Sequence, residues 1–299
     1  MNDVSPELLA NFLVSGLIIG VLYALMAMGI TFIYSIMKMI NWSMGEFYMI
    51  GSYVQWFLVS FVLGGSLWYL GVLGTAAVVF VVGLFVHRAL IRPMFSTAME
   101  RRNEYGTVVT IALALFLRNL ATVLNGPDTR TPAIDLSPVV IGFLRVGGTR
   151  VAALVGAVII IGLFYYLLTR TWSGLAFRAS SENRVGVQTA GLNILRVDQV
   201  AFAIGVTLAG LAGALLAPVF LVFPANGAVT TVKGFEIIII GGLGSVPGAA
   251  IAGILLGLVE SLGSVFLGTS LRDVYGFLFL LIVLVIRPQG LFGERSRLT

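Results

Sequence analysis

Apolar runs long enough to cross a membrane follow one another along almost the whole chain, and a glycine-rich break falls among them. Residues 241–253 read GGLGSVPGAAIAG. A helix spans a bilayer with about 20 apolar residues. Backbone that leaves the helix at membrane depth is tolerated only where protein or a polar cavity surrounds it, and paired broken helices are a common way for transporters to build a substrate path. Only 10% of the 299 residues are charged and 59% are hydrophobic, whereas a soluble domain carries roughly a quarter charged residues. The chain therefore reads as an all-α polytopic membrane protein, a single transmembrane unit over residues 1–299.

The apolar spans are 8–36, 47–63, 67–86, 107–124, 151–168, 200–222, 235–243, 249–267 and 274–286. The seventh is too short to cross alone and is either half of a broken helix or a re-entrant segment, so about eight to ten transmembrane helices are expected. Arg88, Arg92, Arg101 and Arg102 share one loop, Arg170, Arg178, Arg184 and Arg196 another, and Arg287, Arg295 and Arg297 mark the C-terminal tail. Alternating spans put all three on one side, which the positive-inside rule makes cytoplasmic. The acidic start, with Asp3 and Glu7, residues 64–66, 125–150 and the turn 223–231 then face outward. The N-terminus is expected outside and the C-terminus inside. The start has no basic residue, so the first run is expected to be retained rather than cleaved. Small residues recur four apart at Gly205, Ala209 and Gly213, at Ala249, Gly253 and Gly257, and at Gly16 and Gly20. Such faces let helix backbones approach closely in lipid.

Composition also removes chemistry. There is no cysteine, so disulfides and cysteine-ligated metals are excluded. The single histidine, His87, beside Arg88, is read as interfacial. Ser–His or Cys–His catalysis lacks its parts and a metal site lacks ligands, so no catalytic or metal residues are assigned. No nucleic-acid partner is expected.

Two breaks and one polar loop carry the functional reading. In the first, MINWSMGEFYMIGSY, Ser43 and Glu46 fit a capping box, so a helix is expected to begin near Met44. Glu46 either only caps that helix, or the free N–H groups there attract an anionic group. In the second, residues 241–248, glycines permit positive φ and Pro247 suits the first turn of a restarted helix. The loop lacks the GK[ST] ending of a nucleotide site, so an ATPase, if one is used, is another polypeptide. Upstream, Lys233 and Glu236 are spaced to pair across one turn. Arg118, inside a span, either snorkels to the interface or faces a polar cavity and an anionic substrate group; Glu260 is its acidic counterpart. Tyr34, Trp42, Tyr48 and Tyr53 are read as an interfacial aromatic belt. The loop 169–197 has a short helical pattern over 181–189, ended by Gly191, and is either a solvated connector or a docking segment for a cytoplasmic partner.

At these segments the sequence resembles the LivH-type permeases of ABC importers for branched-chain amino acids. The family's N-F-A-H-G-E-x-Y-M-x-G-[SA]-Y stands here as residues 41–53, with Trp42, Ser43 and Met44 replacing Phe-Ala-His. Its R-A-x-x-E…A-x-x-x-G-I-N segment stands as Arg178, Ala179, Glu182, Gly191 and Asn193, and its G-G-[ML]-G-S-[IV]-P-G block as residues 241–248. The resemblance implies an ABC-importer permease fold in a bacterial inner membrane. It implies a LivM-like second permease, two cytoplasmic ATPases that use the ATP, and a periplasmic binding protein; no cofactor is expected on this chain itself. Asn41, Ser43, Gly45, Glu46, Arg118, Gly242, Gly244, Ser245 and Pro247 are expected along the substrate path, and Arg178, Glu182, Gly191 and Asn193 in ATPase docking. Branched-chain or other small hydrophobic amino acids are the implied substrates. The altered 42–44 stretch keeps urea, short amides and organic acids open. A self-contained channel or secondary transporter is the alternative class.

Overall fold

The structure is a computed structural model and describes residues 6–95, 101–142 and 144–293. Asp3, Arg295 and Arg297, used in the orientation argument, lie outside the described residues. Among the described residues there are eleven α-helices: α1 (Pro6–Met37), α2 (Met44–Phe57), α3 (Trp68–Val86), α4 (Arg102–Asn125), α5 (Gly148–Arg170), α6 (Trp172–Glu182), α7 (Arg184–Thr189), α8 (Ile194–Leu216), α9 (Asn226–Gly241), α10 (Val246–Leu267) and α11 (Arg272–Ile286). Eight helical stretches are long and apolar enough to cross a membrane; α6, α7 and α9 fall outside them. Tighter or wider helical turns extend α2 through Leu63 and α3 through Phe95.

The passes alternate, so helix ends meet in two groups. At one end the Arg184 guanidinium donates to the Ile36 carbonyl at the close of α1, Tyr105 at the start of α4 donates to the Leu90 carbonyl, and Leu291 beyond α11 donates to the Ile240 carbonyl. At the other end Gln55 donates to the Trp68 carbonyl, and Arg130 pairs with Val222 in an isolated bridge. The second end also carries a small antiparallel hairpin, β1 (Val139–Ile141) and β2 (Leu144–Val146), with Val140 opposite Arg145. Nothing in the loop 125–150 predicted it.

Helices α1 and α8 form the centre. Over much of their length they are sheathed by protein, whereas α4, α5 and α11 turn large apolar residues outward, among them Val123, Tyr165 and Val285. A helix that is apolar all round is either buried or lipid-facing, and here the bundle contains both kinds. The small-residue faces explain which helices meet. The Gly16/Gly20 stripe and the Gly253/Gly257 stripe face each other across the α1–α10 contact. A Cβ on Gly257 would lie 2.5 Å from the Gly20 Cα, and one on Gly253 2.5 Å from the Ala24 amide nitrogen. Gly205 likewise meets Ile33 and Gly29 on α1, and Gly213 meets Tyr48 and Ser52 on α2. Close backbone approach supplies packing where lipid offers no hydrophobic drive.

Several sequence expectations change. Helix α9 begins at Asn226, so the expected turn 223–231 ends by Ala225 and the seventh span is 16 residues long. The loop 169–197 holds two helices rather than one. They break at Asn183, whose side chain accepts the Gly186 N–H, and α8 starts at Ile194 under an Asn193 cap. His87 is buried rather than interfacial, its ring tilted against Phe202 at 5.8 Å. Tyr48 and Tyr53 are buried as well, so they are not part of an exposed belt.

The α1–α10 contact yields a direct test. Gly257→Val must push two backbones apart, which overpacking data put at about 1–3 kcal/mol. Gly162→Val, where a Cβ meets nothing within 4 Å, should be close to neutral. Thermal unfolding in detergent should separate the two variants, and equal midpoints would refute the packing.

Candidate functional site

The first break is built to satisfy backbone rather than to expose it. Helix α1 stops at Lys38, the one non-glycine residue with positive φ (53°) among the described residues. Residues 38–43 then run without helix to the start of α2. The Trp42 N–H donates to Thr110 Oγ1 of α4 (3.2 Å), the Ser43 N–H to Asn41 Oδ1 (3.0 Å), and the Gly45 N–H to Thr231 Oγ1 of α9 (3.1 Å). Side chains from neighbouring helices thus take donors that water would take elsewhere. The expected capping box does not form. Ser43 Oγ donates to Asn41 Oδ1 (2.7 Å), and the Glu46 carboxylate accepts from Arg118 Nη2 at 2.8 Å. The physical reason is charge: the buried Glu46 carboxylate needs a counter-ion more than a helix start needs a second cap. Free N–H groups awaiting an anion are therefore not what this helix start presents. Gly45 packs on Gly227, where a side chain at either position would run into the other's carbonyl.

The second break lies at the opposite end of α9. Helix α9 ends at Gly241, Gly242 and Gly244 take φ values of 98° and 90°, and α10 begins under a Ser245 cap whose hydroxyl accepts the Gly248 N–H (3.1 Å). The last α9 carbonyls are not orphaned: Ile240 accepts from Leu291 (2.8 Å) and Gly241 from Phe292 (3.0 Å). Pro247, Gly244 and Ser245 line a groove of about 280 Å³ together with Arg178 and Ser181 of α6. Gly244 and Ser245 also line a larger cavity of about 1020 Å³ with Lys38 and Glu182. The structure thus brings the second break and part of the polar loop together, and leaves Asn41, Ser43, Gly45, Glu46 and Arg118 as a separate group.

The loop itself is anchored on one side and open on the other. Arg184 binds Asp198 of α8 through both terminal nitrogens (3.0 and 2.5 Å) as well as the Ile36 carbonyl (2.7 Å), and Asp198 is fully buried. Phe177 stacks edge-on against Phe32 of α1. Outward, Arg178, Glu182, Gly191 and Asn193 are exposed, as are the apolar Trp172, Leu175, Val185 and Leu192.

Midway along α9 stands an ion cluster that sequence reasoning grasped only in part. Lys233 Nζ lies 2.7 Å from Glu260 Oε1, 3.0 Å from Asp273 Oδ1 and 3.3 Å from Glu236 Oε2. Arg272 Nε lies 2.8 Å from Glu260 Oε2, and the Tyr23 hydroxyl donates to that same oxygen at 3.3 Å. The Lys233–Glu236 pair was legible from its spacing. Glu260 stands out in the sequence as a charge inside a span, but its partners Lys233 and Arg272 come from other elements, and Arg272 and Asp273 carry no motif in the sequence that marks them. Arg118 and Glu260, the two intramembrane charges noted in the sequence, do not meet. Gly276 leaves room for the cluster: a Cβ there would lie within 3.2 Å of Glu236, Lys233 and Glu260 atoms. The cluster borders a cavity of about 380 Å³, reached by Lys233, Arg272, Asp273, Tyr23, Tyr48 and Asn226 and walled by apolar residues of the α8–α9 connection.

Comparison with known proteins follows the same outline. The family model described as "Branched-chain amino acid transport system / permease component" matches residues 12–286. The chain is 31% identical to the high-affinity branched-chain amino acid transport system permease protein LivH of Escherichia coli K12, over 94% of each chain. It is 29% identical to the corresponding permease BraD of Pseudomonas aeruginosa, over 94% of this chain and 95% of BraD. It is 31% identical to a probable branched-chain amino acid transport permease protein LivH of Methanocaldococcus jannaschii, over 91% and 89%. No solved structure matches the chain significantly.

The Glu46–Arg118 pair gives a prediction. Arg118→Ala strands a buried carboxylate and should destabilise the protein by about 3–5 kcal/mol. Adding Glu46→Gln should restore much of that loss, because it removes the stranded charge. A double-mutant cycle on unfolding in detergent measures it, and additive losses would show that the two groups do not interact.

Proposed function

Because the chain belongs to the family of branched-chain amino acid transport system permease components, we propose that it is one permease subunit of an ATP-binding-cassette importer of a bacterial inner membrane. It would form half of the translocation path for branched-chain or other small hydrophobic amino acids. A LivM-like second permease completes the path, two cytoplasmic ATPases supply the energy, and a periplasmic binding protein delivers the substrate. The chain itself carries no catalysis and holds no cofactor; ATP is used by its partners.

One observation carries this reading beyond the family match: the groove that joins the second break to the exposed side of α6. A segment displaying Trp172, Leu175, Val185 and Leu192 to solvent calls for a covering partner. Its other side is held by Arg184 to α8 and to the end of α1. A force applied to α6 and α7 by a docked ATPase is thereby delivered to the end of α1 and to Gly244–Ser245–Pro247, with little slack. Residues 169–197 act as the docking segment, with Arg178, Glu182, Gly191 and Asn193 on its open face. The arginines gathered at this end of the bundle support a cytoplasmic assignment for it by the positive-inside rule, with the C-terminus inside and the N-terminus outside. Asn41, Ser43, Gly45, Glu46 and Arg118 support the path from the middle of the bundle by holding α2 against α4 and α9. Gly242, Gly244, Ser245 and Pro247 gate its cytoplasmic end.

Affinity purification of the chain from its native membrane in mild detergent is the test. Two ATPases and a second permease should co-purify; a stable, monodisperse lone chain would point instead to a channel or secondary transporter. Glu182→Lys should weaken capture of the ATPases severalfold while the second permease stays bound, and unchanged capture would make the loop a connector only. Gly244→Leu, at a φ of 90° that side chains resist, should abolish uptake with the assembled complex intact. Normal uptake would remove this break from the gate.

A further inference from the structure

The cavity beside the α9 ion cluster has the chemistry of an α-amino acid site, and we propose that it binds the transported amino acid by its ammonium and carboxylate groups. This rests on the importer reading and locates the substrate contact away from the two broken segments.

Consider what the cavity offers. Its walls at Leu216, Phe220, Leu221, Phe223 and Val229 are apolar, and its volume of about 380 Å³ falls within the roughly 300–1,000 Å³ usual for small-molecule sites. Its polar lining holds Arg272, Lys233 and Asp273, the last two ion-paired at 3.0 Å, together with Asn226. Two buried atoms of these lining residues lack a hydrogen-bond partner. Arg272 Nη2 has no hydrogen-bond partner although its Nε is committed to Glu260. Asn226 Oδ1 has none either, although Asn226 Nδ2 donates to Ser52 Oγ (3.2 Å), and Asn226 is only 8% exposed. A buried donor and a buried acceptor left unpaired each carry a cost that a ligand removes. Both atoms are shielded in the described state, so binding turns the carboxamide and the guanidinium toward the cavity.

A carboxylate then meets Arg272, an ammonium meets Asn226 Oδ1 and Asp273, and an aliphatic side chain lies on the apolar walls, while Lys233 keeps its three carboxylate partners. The charge balance selects the class. Lys233 and Arg272 face three carboxylates, Glu236, Glu260 and Asp273. A cluster with a surplus carboxylate rejects a simple organic anion, because buried like charges repel, yet accepts a zwitterion whose ammonium answers that surplus. A neutral amide such as urea leaves the apolar walls unused and brings no charge to pair with Arg272 or Asp273.

The absence of cysteine from this chain makes the site directly measurable. Val229, on the cavity wall and 58% exposed, is replaced in Val229→Cys, giving this subunit one thiol. In membrane vesicles carrying the whole importer, maleimide labelling of that thiol is followed with L-leucine, 4-methylpentanoate or urea present. L-leucine at about ten times its Kd should slow labelling about tenfold, the factor by which occupancy lowers the fraction of free sites, and the other two should not. Adding Asn226→Ala should abolish protection while labelling without leucine stays the same, and this variant spares every member of the ion cluster. Labelling that leucine leaves unchanged, in vesicles that import leucine, overturns the site and leaves the importer reading standing. Vesicles that import no leucine but do import another solute overturn the substrate assignment itself.

Discussion

A lysine ammonium inside a helix bundle in lipid needs partners that compensate its charge, and the arrangement of this protein depends on how that demand is met at Lys233. Three carboxylates from α9, α10 and α11 converge on one nitrogen, and Arg272 and Tyr23 complete the outer oxygen of Glu260. Removing one partner from such a set would strand a charge in a medium that cannot solvate it. The cluster therefore fixes four helices at one level, since Tyr23 brings in α1. It also explains why α9 can be short. Its 16 residues, about 24 Å by helical rise, do not need an unbroken apolar surface, because Asn226 and Thr231 are spent on α2 and Lys233 on α10 and α11.

From that anchor the two broken segments follow. The first two turns of α9 receive α2 through Gly227 and Thr231, and its last carbonyls receive the chain beyond α11. Helix α9 is thus a strut with one break at each end and the ion cluster in the middle. On the proposed importer reading, movement at the glycine-rich end would reach the cavity beside Lys233 and the start of α2 through this one helix. The Arg184–Asp198 pair plays the matching part for the polar loop, tying α7 to α8 and to the end of α1. Buried charge pairs thus hold the bundle together in three separate places.

The parts of this design that could be read from the sequence are those carried by local signals. Apolar runs, the positive φ at Gly242 and Gly244, the Pro247 restart and the small-residue stripes all depend on neighbours a few residues away. What could not be read depends on distant partners. Glu46 and Ser43 looked like a capping box because the motif is local, whereas Arg118 lies 72 positions away and nothing in the sequence links them. Asn226, Thr230 and Thr231 looked like a turn because they are polar. They are helical because Ser52 and Gly45, on another helix, accept or offer the bonds they need. His87 looked interfacial from its neighbour Arg88, and only the packing of Phe202 over it shows that it is enclosed. The hairpin 139–146 gave no signal strong enough to stand against an otherwise helical chain.

The most direct test of the account is a high-resolution cryo-electron microscopy map of the assembled complex in a lipid nanodisc, collected with and without L-leucine. The account predicts leucine-dependent density between Arg272 and Asn226, with Lys233 still bound to Glu260 and a second permease closing the open side of the cavity. Density for leucine elsewhere, with that cavity filled by a lipid chain or a partner side chain, would contradict it.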